Sequence, residues 1–249
     1  LLEYAAVLSG NGSASFADNI LSIVPDSDYN GIIVVTIYVS DGDLNDNISF
    51  TLTVNPVNDA PVLDAIADQE VDEDNTFTYS LSADDVDGDV LIYTANIDAN
   101  GTVLINGTNL EIVPLENYYG NIFVTVSVSD GQSTDNINFT LTVNSVNDTP
   151  VLEFISNQNM DEDNVFLYEV NATDVDGDIL NYFAVVVGGN ASASFDENIL
   201  SVIPDTNYNG ELNISVAVSD DEFTQNDTFV LLVTPVNDTP VLDTITDQE

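Results

Sequence analysis

Apolar residues in this chain recur at every second position in runs of four, and such a run occurs at three corresponding places. Ile33, Val35, Ile37 and Val39 make the first, Ile122, Val124, Val126 and Val128 the second, and Leu212, Ile214, Val216 and Val218 the third. Small polar residues such as Thr125, Ser127, Asn213 and Ser215 stand between them. Alternation with period two sends one set of side chains to a buried face and the other to water, which predicts half-buried β-strands. A following run buries Ile137, Phe139, Leu141 and Val143. An earlier one buries Phe77, Tyr79, Leu81 and Ala83, echoed by Phe166, Tyr168, Val170 and Ala172. Clusters of Asp, Asn and Gly separate the runs, and no apolar period of 3.6 intervenes.

The runs belong to a repeat. Val57-Asn58-Asp59 returns 89 residues later as Val146-Asn147-Asp148 and 90 residues after that as Val236-Asn237-Asp238. Asp85-Val86-Asp87-Gly88-Asp89 returns as Asp174-Val175-Asp176-Gly177-Asp178, and Tyr29, Tyr118 and Tyr208 keep the same register. Six or seven short strands in each ninety residues predict an all-β fold of tandem immunoglobulin-like sandwiches in an elongated array, with the recurring tyrosine in a core or corner position. Pro61, Pro150 and Pro240 follow the Val-Asn-Asp segments and cannot sit in a central strand, so the boundaries fall there. The expected division is a partial repeat at 1–57, full repeats at 58–146 and 147–236, and a linker with the first strand of a further repeat at 237–249. Leu2 and Tyr4 align with Leu91 and Tyr93, so the segment begins inside a repeat.

Charge changes the picture. The 249 residues include 44 Asp and Glu and no Lys, Arg or His, a formal net charge of −44. Such self-repulsion calls for an external cation. Nucleic acid and anionic membrane surfaces are excluded as partners because both are held by basic residues, and no apolar run is long enough to insert into a bilayer. Without His, Cys, Lys or Arg the imidazole base, the thiolate, the Schiff-base amine and the usual zinc sites are all missing. Carboxylates, amides and hydroxyls remain, and these oxygen ligands suit calcium. An EF-hand does not fit, since Gly88 stands at the fourth position of its loop and Asn96 at the twelfth. The acids that are two apart, Asp85 with Asp87 and Asp174 with Asp176, would share one face of extended chain and repel each other unless a cation lay between them. Asp and Asn also build turns, and most scattered acids have that role or simply face solvent.

The ordered set of Glu73, Asp85-x-Asp87-Gly88-Asp89, the Tyr-x-Gly segment, Val-Ser-Asp130-Gly131 and Val-Asn-Asp-x-Pro-Val resembles the cadherin-like tandem repeats of large bacterial surface and adhesion proteins. The resemblance spans nearly the whole chain. It implies calcium at the junctions between repeats. One junction would use Asn58, Asp59, Asp85, Asp87 and Asp130. The next would use Glu73, Asn147, Asp148, Asp174, Asp176 and Asp220, and Glu162 with Asn237 and Asp238 would make half of a third. The acidic pair that animal cadherins carry before the linker has only Asp26 and Asp28, or Asp205, as counterparts, which implies fewer ions per junction.

The function expected is an extracellular stalk or filament segment, structural or adhesive, stiffened by calcium. Its partners would be neighbouring repeats of the same chain and, in a filament, head-to-tail or lateral copies. The alternative is a carbohydrate- or protein-binding module using calcium or exposed aromatics such as Phe123 and Tyr38. An enzyme is not expected, because every well-placed acid recurs by repeat while a catalytic site would occur once. Eleven Asn-x-Ser/Thr sequons, Asn147 and Asn237 among them, would permit glycosylation where the machinery exists.

Overall fold

The computed structural model describes residues 2–243. Among them every helical or extended element is a strand. The chain divides into two compact units, Leu1–Ser145 and Val146–Glu249, each taken by itself here. Residues 244–249, where part of the expected strand of a further repeat falls, lie outside the described residues.

The first unit opens with β1 (Glu3–Leu8), β2 (Gly12–Ala17), β3 (Ile20–Pro25), β4 (Gly31–Ser40) and β5 (Asn45–Val54). One sheet has the order β1-β4-β5 and the other pairs β2 with β3. The unit continues with β6 (Val62–Leu63), β7 (Gln69–Asp72), β8 (Phe77–Ser80), β9 (Ala83–Asp84), β10 (Ile92–Ile97), β11 (Gly101–Asn106), β12 (Asn109–Pro114), β13 (Gly120–Ser129) and β14 (Thr134–Asn144). Here the sheets are β10-β13-β14-β7 and β11-β12-β8, with the short pair β6-β9. The inner faces of both sheets meet in a core of Phe77, Leu81, Leu110, Ile112, Ile122, Val124, Val126, Val128, Phe139, Leu141 and Val143.

The second unit repeats this plan with β15 (Val151–Leu152), β16 (Gln158–Asp161), β17 (Phe166–Glu169), β18 (Ala172–Thr173), β19 (Asn181–Gly188), β20 (Ala191–Asp196), β21 (Ile199–Pro204), β22 (Gly210–Ser219) and β23 (Thr224–Thr234). Its sheets are β16-β23-β22-β19 and β17-β21-β20. Leu212, Ile214, Val216 and Val218 are fully buried against Leu200, Val202, Phe229 and Leu231.

The alternating run from Phe77 to Ala83 is two strands and not one. β8 pairs with β12, while β9 crosses to pair with β6. Leu81, buried between them, stays in the core while the chain changes sheet, so the apolar period survives a break in the hydrogen-bond ladder. The same switch separates β17 from β18.

Strand β8 shows what covers the core. Its Phe77 packs on Phe139 with ring centroids 6.3 Å apart, and Phe139 is 4% exposed. The equivalent Phe50 on β5 has no such cover among the described residues and is 42% exposed. The recurring tyrosines are corner residues: the hydroxyls of Tyr29, Tyr118 and Tyr208 donate to the carbonyls of Ile32, Asn121 and Glu211 at 3.1, 2.9 and 2.8 Å. Gly120 has φ of +133°, and a Cβ there would stand 3.0 Å from the Tyr118 hydroxyl, so the corner requires glycine twice over.

Candidate metal centre

The acidic motif after β9 bends sharply instead of running extended. In the first unit the Asp85 carbonyl accepts the Gly88 N–H at 3.3 Å, and Asp85 Oδ1 accepts the Asp89 N–H at 3.1 Å. In the second unit Asp174 Oδ1 accepts the N–H groups of Asp176, Gly177 and Asp178 at 3.0, 3.1 and 3.3 Å. Aspartate forms such turns readily, and Gly88 (φ +75°) and Gly177 (φ +80°) supply the left-handed residue that turns the chain back. The consequence is convergence. Asp85, Asp87 and Asp89 each bring a carboxylate oxygen within 4.8 Å of the others, and so do Asp174, Asp176 and Asp178.

The linker is drawn to this loop. The Asp59 N–H donates to Asp87 Oδ2 at 2.8 Å, and the Asp148 N–H to Asp176 Oδ2 at 2.7 Å. Asn58 Nδ2 reaches Asp130 Oδ2 and the Asp59 carbonyl at 2.9 Å each, while its Oδ1 accepts from Gln132 Nε2 at 2.7 Å. Asn147 Nδ2 makes the matching contacts with Asp220 Oδ2 at 3.0 Å and the Asp148 carbonyl at 3.1 Å. The asparagine side chains thus act as clasps between the linker and the loop after the long strand.

Asn58, Asp59, Asp85, Asp87 and Asp130 are therefore brought together in one unit, and Asn147, Asp148, Asp174, Asp176 and Asp220 in the other. Glu73 and Glu162 lie elsewhere. Each follows the first strand of its four-stranded sheet, with its N–H donating to the Asn144 or Thr234 carbonyl at 2.8 and 2.9 Å, at the end of the sandwich opposite Asp130 and Asp220. Both are buried, at 3% and 4% exposure. Glu162 Oε1 accepts the Val236 N–H at 2.7 Å, and Oε2 is 3.4 Å from Asn209 Nδ2. Asn237 closes on the Asp238 carbonyl at 3.1 Å, repeating the first step of the clasp.

Asp89, Asp178 and Asp28 were absent from the ligand set read from sequence. The first two were visible as the third acid of Asp-x-Asp-Gly-Asp, but only the bend brings them round. Asp28 stands beside the first linker, lining with Tyr29, Asn30, Asp59 and Asp87 a depression of about 230 Å³. An adjoining one of about 400 Å³ is lined by Asn30, Asn58, Asp87, Asp89 and Gln132.

Electrostatics divide these acids into two kinds. Asp130 is held below the ordinary carboxylate value by the Ser133 N–H, the Asn58 amide and the Gln132 N–H. Burial works against the Asp220 charge, but donation from Phe223, Asn147 and Glu222 outweighs it and the net shift is downward. Asp41, the equivalent in the first repeat, is lowered by the Leu44 and Asp43 N–H groups. Asp59 is shifted the other way, by desolvation and then by the charges of Asp28, Asp87 and Asp85. Folding stability therefore responds to pH in two directions. The lowered acids contribute stability that is present above the ordinary value of 3.8 and lost as pH falls through their folded values. The raised acid opposes folding while charged, and acidification through its folded value relieves that cost. Urea denaturation of metal-free protein should show stability rising from pH 7 toward pH ~4 and collapsing below it. A flat profile across that range would contradict the repulsive cluster.

Oxygen donors alone make up these sites, and no cationic side chain exists in the chain to neutralise them. Asp85 Oδ2 and Asp174 Oδ2 are buried with no hydrogen-bond donor. A buried carboxylate oxygen without a donor costs several kcal/mol unless a cation meets it. The residues present fit a hard divalent ion.

Comparison with known proteins agrees with the fold. Residues 58–143 match the family model of the bacterial Ig domain, and residues 146–234 that of the cadherin-like domain. A stretch of 147 residues is 30% identical to chitinase A of Pseudoalteromonas piscicida, covering 55% of this chain and 16% of that protein. Among solved structures, the extracellular cadherin domains 1–5 of protocadherin gamma B2 superpose with a TM-score of 0.57 at 15% identity, over 95% of this chain and 53% of that one. The structure PcdhgB3 EC1-4 gives 0.56 at 14% identity, over 95% and 67%. At such identities the likeness concerns the fold alone: Ig-like and cadherin-like sandwiches in tandem.

Proposed function

We propose that this tandem of bacterial-Ig-like and cadherin-like repeats is a segment of an extracellular stalk or filament whose linkers are fixed by calcium. The observation that carries the reading is the pair of buried, donor-less oxygens, Asp85 Oδ2 and Asp174 Oδ2, each inside three converging carboxylates. Asp59, Asp85, Asp87 and Asp89, with Asp28 within electrostatic reach, would hold the ion in the first unit. Asp148, Asp174, Asp176 and Asp178 would hold it in the second. Asn58, Asn147, Asp130 and Asp220 would serve mainly as clasps that bring the linker to the ion, and Glu73, Glu162, Asn237 and Asp238 would supply ligands from the far ends of the repeats. Bound calcium neutralises the carboxylates and ties linker to loop, so bending the linker costs ligand bonds.

This reading makes the chain a spacer and not an enzyme. The acids cluster at the same positions in both complete repeats, as a structural device would. Extracellular placement would suit a calcium site of this kind, since calcium is millimolar there, and the matched families support it. Among the described residues no helix is long and apolar enough to cross a membrane.

Small-angle scattering with and without calcium, at matched ionic strength, tests the stiffening. Calcium should narrow the distribution of dimensions, and chelation should broaden it. Identical scattering in both conditions would sink the proposal, and an equal effect from sodium chloride would mean simple screening.

A further inference from the structure

One strand of the second unit departs from its counterpart in the first. β19 and β10 hold the same place at the edge of the four-stranded sheet, Tyr182 standing opposite Val218 as Tyr93 stands opposite Val128. On β10 the exposed positions after Ile92 are Thr94 and Asn96, and Asp98 follows the strand. On β19 they are Phe183, Val185 and Val187, which are 54%, 60% and 62% exposed. β19 is also longer, eight residues against six, and the bulge between Val186 and Gly188 adds Val187 to its outward row. No acid occurs between Asp178 and Asp196, the longest such interval in the chain. Charge on an edge strand keeps other strands from pairing with it. Asp98 supplies that charge at the end of β10, and β19 has none.

Backbone groups on this edge are open as well. Among the described strands β19 pairs with β22 alone. In the first unit the Asp98 N–H donates to the Phe123 carbonyl at 3.2 Å, which continues the ladder of β10 with β13. Bonding alternates along an antiparallel pair, so Tyr93, Ala95 and Ile97 turn their N–H and C=O away from β13. Their counterparts on β19 are Tyr182, Ala184 and Val186.

We infer that β19 is a docking edge for a second copy of this chain, the two β19 strands pairing antiparallel about a two-fold axis at Val185. A two-fold contact needs an edge that matches itself. In this register Val185 meets the second copy's Val185, and Phe183 meets the second copy's Val187, all on the outward face. Ala184 lies opposite the second copy's Val186, and these two exchange the backbone bonds that each edge leaves open. Charge selects the occupant. Copies that carry only negative charge repel one another over most of their surface, and the acid-free strand is where they can approach. A basic partner would be drawn to the acidic loops instead. Asp221, which accepts the Asn181 amide at 2.9 Å, bounds the strip at one end. A contact of one strand pair belongs to the small, transient class, so association is weak in dilute solution and grows where copies are crowded side by side.

The chain has no cysteine, so a single introduced thiol reports a single contact. Opposed residues of a non-hydrogen-bonded antiparallel pair lie about 4.5 Å apart at Cα, within reach of a disulfide. Val185→Cys, oxidised in chelator and concentrated salt, should therefore form a covalent dimer about tenfold faster than Asn96→Cys on the equivalent strand of the first unit. Adding Val187→Asp should bring the rate down to that of Asn96→Cys. In sedimentation equilibrium the natural chain should self-associate more strongly as salt rises and screens the repulsion, and Val187→Asp should stay monomeric. Equal oxidation rates for the two thiols would overturn the pairing, and so would a Val185→Cys rate that ignores Val187→Asp. A natural chain that remains monomeric at millimolar concentration in concentrated salt would overturn it too. Chelator keeps calcium out of both assays, so their outcome bears on the edge and leaves the metal sites to the scattering experiment.

Discussion

Calcium in thousandfold excess over its dissociation constant should stabilise each repeat that binds one ion by about 4 kcal/mol, because a ligand held only by the native state shifts folding by mass action. For repeats of this size that corresponds to a rise in melting temperature on the order of 20 °C. The measurement is a thermal melt of the chelated and calcium-loaded protein at one ionic strength. The gain should far exceed what sodium gives, since screening relieves repulsion over a Debye length but does not supply a partner to Asp85 Oδ2 or Asp174 Oδ2. A melt that responds to ionic strength alone would reduce the acidic loops to turns.

Replacing Asp174 with Asn should reverse the sign of its effect between the two states. In the metal-free protein the substitution removes one of three carboxylates that crowd within 4.8 Å, so the second unit should melt higher than the natural one. With calcium the same variant should lose most of the ~4 kcal/mol that binding confers. Asn can still accept the N–H groups of Asp176, Gly177 and Asp178 through its own oxygen, which keeps the turn and isolates the charge. Melts of the variant with and without calcium would settle the matter. Destabilisation of equal size in both states would show that Asp174 serves the turn and no ion.

Much of the site was legible along the chain, and the part that was not has a definite cause. Asp85, Asp87, Asp174 and Asp176 stood out by recurrence, as did Asp59 and Asp148 in the linker. The stated reason for their meeting, extended chain with acids on one face, did not survive: Asp85 and Asp174 gather the loop by accepting its N–H groups. A bend at Gly88 or Gly177 carries Asp89 or Asp178 into the cluster, and no period in the sequence encodes that. Asn58 and Asn147 were legible as important, but their amides point to Asp130 and Asp220. Such contacts join residues more than seventy positions apart.

The sequence by itself determined the long strands and which of their faces is buried. Alternation at Ile122 to Val128 and Leu212 to Val218 admits one buried face, since a slip of one residue would turn every apolar side chain to water. It also determined the repeat and the absence of any internal counter-charge. Tertiary structure alone decided which strands share a sheet. The switch between β8 and β9 leaves the apolar pattern unbroken, and the parallel union of β7 with β14 links residues 72 apart. Local pattern reports which face a residue shows to water, while pairing depends on where the rest of the chain has gone.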